Sequence, residues 1–283
     1  MINEFAPAKI NLCLHVTGQN RDGYHVLDSL VLFTAFGDRI SVSPDTGWAL
    51  ELSGPYGQDI PQGAENLVWR AAELTIPGGR ASIKLEKNLP PAAGIGGGSS
   101  DAAAAIRALS KLYPNAERLG SELTDLGADV PVCMSAELTR MRGIGEKLIR
   151  MGPPPSLPIV LVNPGVSLNT ADVFQALQQK ENPALCDDMP SPNDLSHWLN
   201  WLNTQRNDLE RPAIKLRPVI GTVLAALNAF SGTKLARMSG SGATCFAITE
   251  TAEQCESLAA LLKQRYPDWW VVATQSLTRS VVN

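Results

Sequence analysis

Between Lys9 and Val16 the chain alternates. Ile10, Leu12, Leu14 and Val16 fall on one side and Lys9, Asn11, Cys13 and His15 on the other, the period of a half-buried strand. The same period predicts strands over 29–36, 39–43, 49–53 and 81–85, and again over 138–142 and 147–151. Residues 64–76 change period: Leu67, Ala71 and Leu74 make a helical stripe. The alanine-rich run after Gly98 also reads as a helix, with Ser99, Ser100 or Asp101 as candidate N-caps. The segment opening at Glu117 begins with a short amphipathic helix that Gly127 ends, with Asp129 in the break before Pro131.

The run GPPPSLP, residues 152–158, suits neither helix nor central strand and reads as a linker between domains at 1–152 and 153–283. The second half predicts a strand at 159–165, helices at 169–180, 193–204 and 212–230, a strand–turn–strand at 235–249, and a helix capped by Thr251 with Gln254. A last strand lies near 269–277. This order of strand, helices, hairpin, helix and strand resembles a ferredoxin-like layer, so the predicted class is α+β with two domains.

The most unusual stretch is PPAAGIGGGSSDAAAA, from Pro90 to Ala105. Glycines allow positive φ and close approach, and successive N–H groups in such a loop make a concave anion site. A helix N-terminus beyond it adds partial positive charge. Ser99 and Ser100 follow Gly98 where a P-loop needs Gly-Lys-Ser/Thr, and no glycine takes the last place of G-x-G-x-x-G. Polyphosphate is the natural occupant of what remains.

Composition narrows the class. The 283 residues are 44% hydrophobic and 18% charged, with a net charge of −4, so no basic field draws nucleic acid or anionic lipid. The five cysteines are odd in number and without C-x-x-C spacing, which points to a reducing cytoplasm rather than a disulfide framework or a zinc site. The opening MINEFAPAK lacks the apolar core of a signal peptide, and no 18-residue apolar run occurs in the sequence. The expectation is a cytoplasmic enzyme with no membrane and no nucleic-acid partner, its oligomeric state open.

Three stretches join the glycine loop: Lys9 in APAKINL, Asp129 in LGADVP, and the turn Ser239, Gly240, Ser241 and Gly242. Singly, these read as a solvated lysine, a turn aspartate and a hairpin. Together they are the parts of a phosphoryl transferase: a phosphate cradle, a cation near the γ-phosphate and a carboxylate for the acceptor hydroxyl. Lys9 and Asp129 would pair, which keeps both ionised.

The sequence APAKINL, PPAAGIGGGSSDAAA, LGADVP and SGSGATCF, in this order, resembles the GHMP kinases along essentially the whole chain. Arg21–His25 (RDGYH) and Asn207–Glu210 (NDLE) are most similar to members that phosphorylate a cytidine-diphosphate-linked sugar alcohol. The resemblance implies a ribosomal-protein-S5-domain-2-like first domain, a ferredoxin-like second domain and catalysis between them. It implies Asp129 as general base with Lys9. ATP would lie on Pro90, Pro91, Ala92, Ala93, Gly94, Ile95, Gly96, Gly97, Gly98, Ser99 and Ser100, the two serines also near Mg²⁺. No glutamate ligand is marked, so the metal would be held mostly by phosphate oxygens and water. Asn66 and Lys87 match positions facing the adenine. Tyr24 and Phe174 would sandwich cytosine while His25 reads its edge. Asn11, Thr170, Ser239, Gly240 and Ser241 would meet the rest of the small-molecule cytidyl-diphosphate substrate. His15 and His197 read as structural. The chain departs from the family at Leu138–Arg142, bulkier than expected beside a nucleotide cleft. Two other readings stay open: another GHMP kinase, of homoserine or mevalonate type, and a catalytically silent nucleotide-binding regulator.

Overall fold

The computed structural model describes residues 1–116 and 119–281. The start of the helix expected from Glu117 lies outside the described residues; the helix that is described there, α3, spans Glu122–Leu126.

Two long strands make the spine. Strand β1 spans Ile2–Gln19 and β2 spans His25–Pro44, paired antiparallel nearly end to end. The two strands expected at 29–36 and 39–43 are thus one. It runs through Gly37, where a Cβ would fall 2.2 Å from the Ala6 carbonyl oxygen of β1. Any side chain there would drive the ribbon apart, and the register shifts beside this point. Strands β3 (Trp48–Ser53) and β4 (Ala81–Glu86) extend the sheet beyond the second half of β2, and β5 (Thr139–Gly143) and β6 (Lys147–Arg150) beyond its first half. Of these pairings only β3–β4 is parallel.

Helices α1 (Leu67–Thr75) and α2 (Gly97–Leu112) cover one face. Ala102 to Ala105 are fully buried, and Arg107 bonds Glu4; alanines let the helix lie close to the strands. The other face of the ribbon meets the second half of the chain. Leu30 and Leu32 pack in the same core as Ile159, Leu161, Phe246 and Ile248, whereas Val31 and Phe33 pack with α2. Period-2 alternation therefore serves two cores, and β1, expected to be half-buried, is buried on both faces from Ala6 to Val16.

The second sheet contains β7 (Pro158–Asn163), β8 (Thr233–Met238), β9 (Cys245–Thr249) and β10 (Trp270–Gln275), in the order β10-β7-β9-β8 and all antiparallel. Numbered within this half the order is 4-1-3-2, the ferredoxin-like arrangement anticipated above. Its helices are α5 (Thr170–Gln175), α6 (Leu195–Thr204), α7 (Glu210–Leu216), α8 (Val219–Asn228) and α9 (Ala252–Arg265).

Several boundaries differ from expectation. The single helix over 212–230 is two, because Pro218 supplies no N–H and forces Arg217 out of helical geometry (φ −140°, ψ 87°). Helix α5 stops at Gln175, well short of Lys180. Helix α6 starts after Asp194, whose carboxylate accepts from the His197 N–H. Thr251 caps α9 through the Gln254 N–H, and Gln254 returns the bond to the Glu250 N–H. Among the described residues no helix is long and apolar enough to cross a membrane.

Candidate active site

The glycine stretch forms an arch between β4 and α2. Gly94 (φ +74°) and Gly96 (φ +62°) hold left-handed backbone. Gly96 is itself the N-cap, so α2 starts at Gly97, and Ser99, Ser100 and Asp101 lie inside the helix rather than capping it. The correction has a simple origin: a left-handed glycine can start a helix without a side-chain cap, and the helix's first free N–H groups then belong to the arch.

The arch leans on β1. The Lys9 N–H donates to the Ile95 carbonyl at 2.9 Å, and a Cβ on Gly96 would come within 3.1 Å of the Lys9 side chain. Lys9 is therefore held beneath the arch. Asp129 arrives from the break after Gly127, at the N-cap position of the short helix α4 (Val130–Cys133). It makes no capping bond there. Its carboxylate instead accepts from Lys9 Nζ at 2.7 Å, with the lysine side chain 6% and the aspartate 33% exposed. One end of the pair is thus sealed and the other open to the cleft.

That cleft has a volume of about 710 Å³ and is lined by Ala92–Gly94, Gly96–Ser99, Lys9, Asp129, Asn11, Thr170, Phe174, Gly240 and Ser241. The Ser239–Gly242 turn closes its far side. Ser239 Oγ donates to the Gly94 carbonyl at 3.0 Å and accepts from the Asn11 N–H at 3.1 Å, while the Thr244 N–H reaches the Ala93 carbonyl at 3.2 Å. A Cβ on Gly94 would sit 2.5 Å from the Gly242 carbonyl oxygen. Ser241 Oγ bonds Thr170 Oγ1 at 2.8 Å. Asn11 Nδ2 donates to Ser29 Oγ at 2.8 Å, which leaves its buried Oδ1 without a partner.

The family model described as "GHMP kinases N terminal domain" matches residues 66–137, and "GHMP kinases C terminal" matches 182–268. A protein of Dinoroseobacter shibae named 4-diphosphocytidyl-2-C-methyl-D-erythritol kinase is 52% identical over 95% of this chain and 93% of its own. One of the same name from Roseobacter denitrificans is 46% identical over 97% and 93%. The chain belongs to the GHMP kinase family. A crystal structure titled 4-(cytidine 5'-diphospho)-2C-methyl-D-erythritol kinase superposes with a TM-score of 0.82 at 33% identity, covering 97% of this chain and 99% of the other. A homoserine kinase from Cytophaga hutchinsonii, at 18% identity and a TM-score of 0.67, shares the fold.

Not every residue singled out from the sequence opens onto this GHMP kinase cleft. Lys87 is buried: its Nζ bonds Asp38 at 2.5 Å and Asp101 at 2.7 Å, with the side chain 3% exposed. It faces these carboxylates, not a base. Burial works against its charge, and Asp101 and Asp38 more than offset that, holding its pKa above the ordinary value. Two carboxylates share this one ammonium, so burial, with Asp38 adding to it, raises the Asp101 pKa. Asn66 accepts from the Val68 N–H and donates to the Pro61 carbonyl, so its side chain caps α1. Ser100 is fully buried, and its Oγ has no hydrogen-bond partner among the described residues. Ile95 belongs to the core and Ser239 to the clamp. Pro90 and Pro91 lead into the arch without lining the cleft.

Tyr24, His25 and Phe174 do gather, in an adjoining cavity of about 460 Å³, with Phe174 lining both spaces. His25, not Tyr24, lies against Phe174, with centroids 4.7 Å apart and planes at 26°. Tyr24 stands 63% exposed at the rim. Burial lowers the His25 pKa and the charge of Lys180 lowers it further, which favours the neutral ring; its buried Nε2 has no partner among the described residues. The bulky departure has an explanation here: Leu138 fills the core, and Met141 together with Ile144 forms cleft wall.

Two cleft-forming residues escaped the sequence reading. Ser29 positions Asn11. Asn207 donates to the Met238 and Gly240 carbonyls, both at 2.8 Å, and so holds the Ser–Gly turn. The NDLE motif contained Asn207, but nothing in its spacing tied it to a turn thirty residues later.

Proposed function

We propose that this protein transfers the γ-phosphoryl group of ATP to the 2-hydroxyl of 4-diphosphocytidyl-2-C-methyl-D-erythritol, a step in non-mevalonate isoprenoid precursor biosynthesis. The observation that carries the chemistry is the Lys9–Asp129 pair, 2.7 Å apart beneath the glycine arch. The acceptor is supported by relatives of that name matching nearly the whole chain and by the aromatic cavity beside the cleft. Asp129 takes the proton of the acceptor hydroxyl as its oxygen bonds the γ-phosphorus and the bond to the ADP oxygen breaks. Lys9 keeps Asp129 ionised and oriented, and its charge steadies the phosphoryl group in transit. The free N–H groups at the start of α2 hold the phosphates.

The cleft lining fits Mg²⁺ that keeps its phosphate oxygens and waters. It offers one carboxylate, Asp129, already bonded by Lys9, and the Ser99 hydroxyl beside the arch. Tyr24 swings in from the rim to stack on cytosine, with the neutral His25 available to its polar edge. Lys87 stays with Asp38 and Asp101, and Asn66 caps α1. A cytoplasmic location agrees with five free cysteines, four of them buried.

The test is product formation from ATP, Mg²⁺ and the cytidyl substrate, followed by phosphorus NMR. One phosphate monoester per ADP is expected; nucleotide binding without product, or turnover only with homoserine or mevalonate, rejects the assignment. In the same assay Tyr24→Ala should raise the KM for the acceptor about tenfold or more, since stacking on one base is worth about 1–3 kcal/mol, and leave the KM for ATP unchanged.

A further inference from the structure

Behind the Ser–Gly turn, on the side away from the arch, lies a second cavity of about 780 Å³, as large as the catalytic cleft. Helix α7, the segment before it and strand β8 form its walls. Its charged lining is four cations, Arg206, Arg211, Lys215 and Arg237, against two carboxylates, Asp208 and Glu210. Both carboxylates are already bonded, Glu210 by backbone and Asp208 by backbone and by Arg206, which leaves Arg211, Lys215 and Arg237 as the cations without an ion-pair partner among the described residues. Asp208 accepts from the Val16 N–H and from Arg206 Nε, each at 2.7 Å. Glu210 accepts from the Met238 N–H at 3.0 Å.

Arg237 is the unusual member. It is 6% exposed, and among the described residues its guanidinium donates only to the carbonyls of Leu12, Leu202 and Gln205. Glu210 is near enough to favour its charge but is committed to Met238, and burial keeps the Arg237 pKa below its ordinary value. A buried guanidinium without a bonded carboxylate is costly. Arg211 and Lys215 stand exposed one helical turn apart on α7, on the same cavity wall.

We infer that this cavity is a binding site for a small phosphate-bearing metabolite, a monoester or diphosphate with an organic body. The excess of cations matches a dianion, and planar guanidinium forks suit phosphate oxygens. The volume exceeds what a free phosphate ion needs, and the Gln178 amide together with the side-chain oxygens of Asn182 and Gln205, whose N–H groups are already bonded within the protein, offers hydrogen bonds to the rest of the molecule. The site is linked to the catalytic cleft through the bonds that hold the Ser–Gly turn. Glu210 and Asn207 hold Met238 and Gly240, and the turn they fix contacts the arch at Gly94. The inference is independent of which alcohol the enzyme phosphorylates.

The test is calorimetric titration of pyrophosphate into the full-length protein saturated with ADP and CDP, so that both ends of the catalytic cleft are filled. One saturable site is expected. Arg211→Glu with Lys215→Glu should weaken it by about tenfold or more, as loss of charge-assisted bonds does, while Arg211→Lys with Lys215→Arg keeps it. Both positions are exposed, and an unchanged melting temperature checks that the variants fold. No saturable binding to the wild type, or equal binding to the charge-reversed variant, overturns the inference.

Discussion

Asp129 and Lys9 lie 120 positions apart in the sequence, and neither is distinguished by its neighbours alone. What singles them out is asymmetric burial: a sealed ammonium holds a carboxylate that still reaches the cleft. Asp129→Asn keeps size and removes basicity, so turnover should fall by about 10²–10⁴-fold with nucleotide affinity nearly intact; stopped-flow binding beside steady-state turnover separates the two. His15 shows the other use of a buried titratable group. Its Nδ1 bonds the Pro183 carbonyl and its Nε2 accepts from the Arg206 N–H at 3.4 Å. Burial, then the charge of Arg206, lowers its folded pKa below the unfolded value of about 6.5. The unfolded chain therefore binds this proton first. The contribution of His15 is present above about pH 6.5 and is lost as pH falls toward the folded value. The urea midpoint should drop between pH 7.5 and 5.5, and the drop should be shallower in His15→Gln.

At the scale of the element, the arch was legible because glycine spacing is chemically unusual, and the ends of α2 were not. Ser99, Ser100 and Asp101 look like caps by residue type, yet the left-handed Gly96 starts the helix earlier. The same limit applied at Lys87. A lysine shortly before a phosphate loop invites a nucleotide role, and only the folded chain brings Asp38 and Asp101 to it. Gly94 and Gly23 separate local strain from tertiary contact. Both have positive φ, but a Cβ on Gly23 meets nothing within 4 Å whereas one on Gly94 meets the backbone of Ser239 and Gly242. Gly23→Ala should cost about 1–2 kcal/mol, the left-handed penalty. Gly94→Ala should cost clearly more and also weaken ATP binding, because the arch and the turn must separate. Chemical denaturation of the two variants side by side is the measurement.

At the scale of the molecule, the two sheets share a core and should unfold as one unit. Leu14 and Val16 of β1 share a core with Val160, Val162 and Val223, and Arg140 ties the first half to the second. Arg140 bonds the buried Asp28 through two nitrogens, at 2.9 and 2.8 Å, and the Leu185 carbonyl at 2.8 Å. Asp28 also accepts from the Leu185 N–H at 3.2 Å. Arg140→Met would leave Asp28 buried without its guanidinium, at a cost of about 3–5 kcal/mol. Calorimetry should show one transition in wild type and variant alike, shifted down in the variant; two resolved transitions in the wild type would contradict the shared core.

Local chemistry along the chain was enough for the α+β class, the glycine arch, the ferredoxin-like order of the second half and the family of phosphoryl transferases. Periodicity, glycine and proline act over a few residues, and a single chain carries them openly. Pairing was another matter. That Lys9 meets Asp129 while Lys87 does not meet the cleft, that His25 rather than Tyr24 rests on Phe174, and that Asn207 steadies a distant turn all depend on where two sheets and a bent ribbon bring separate segments together. Burial and charge compensation act through space, so their outcome exists only once the chain has closed.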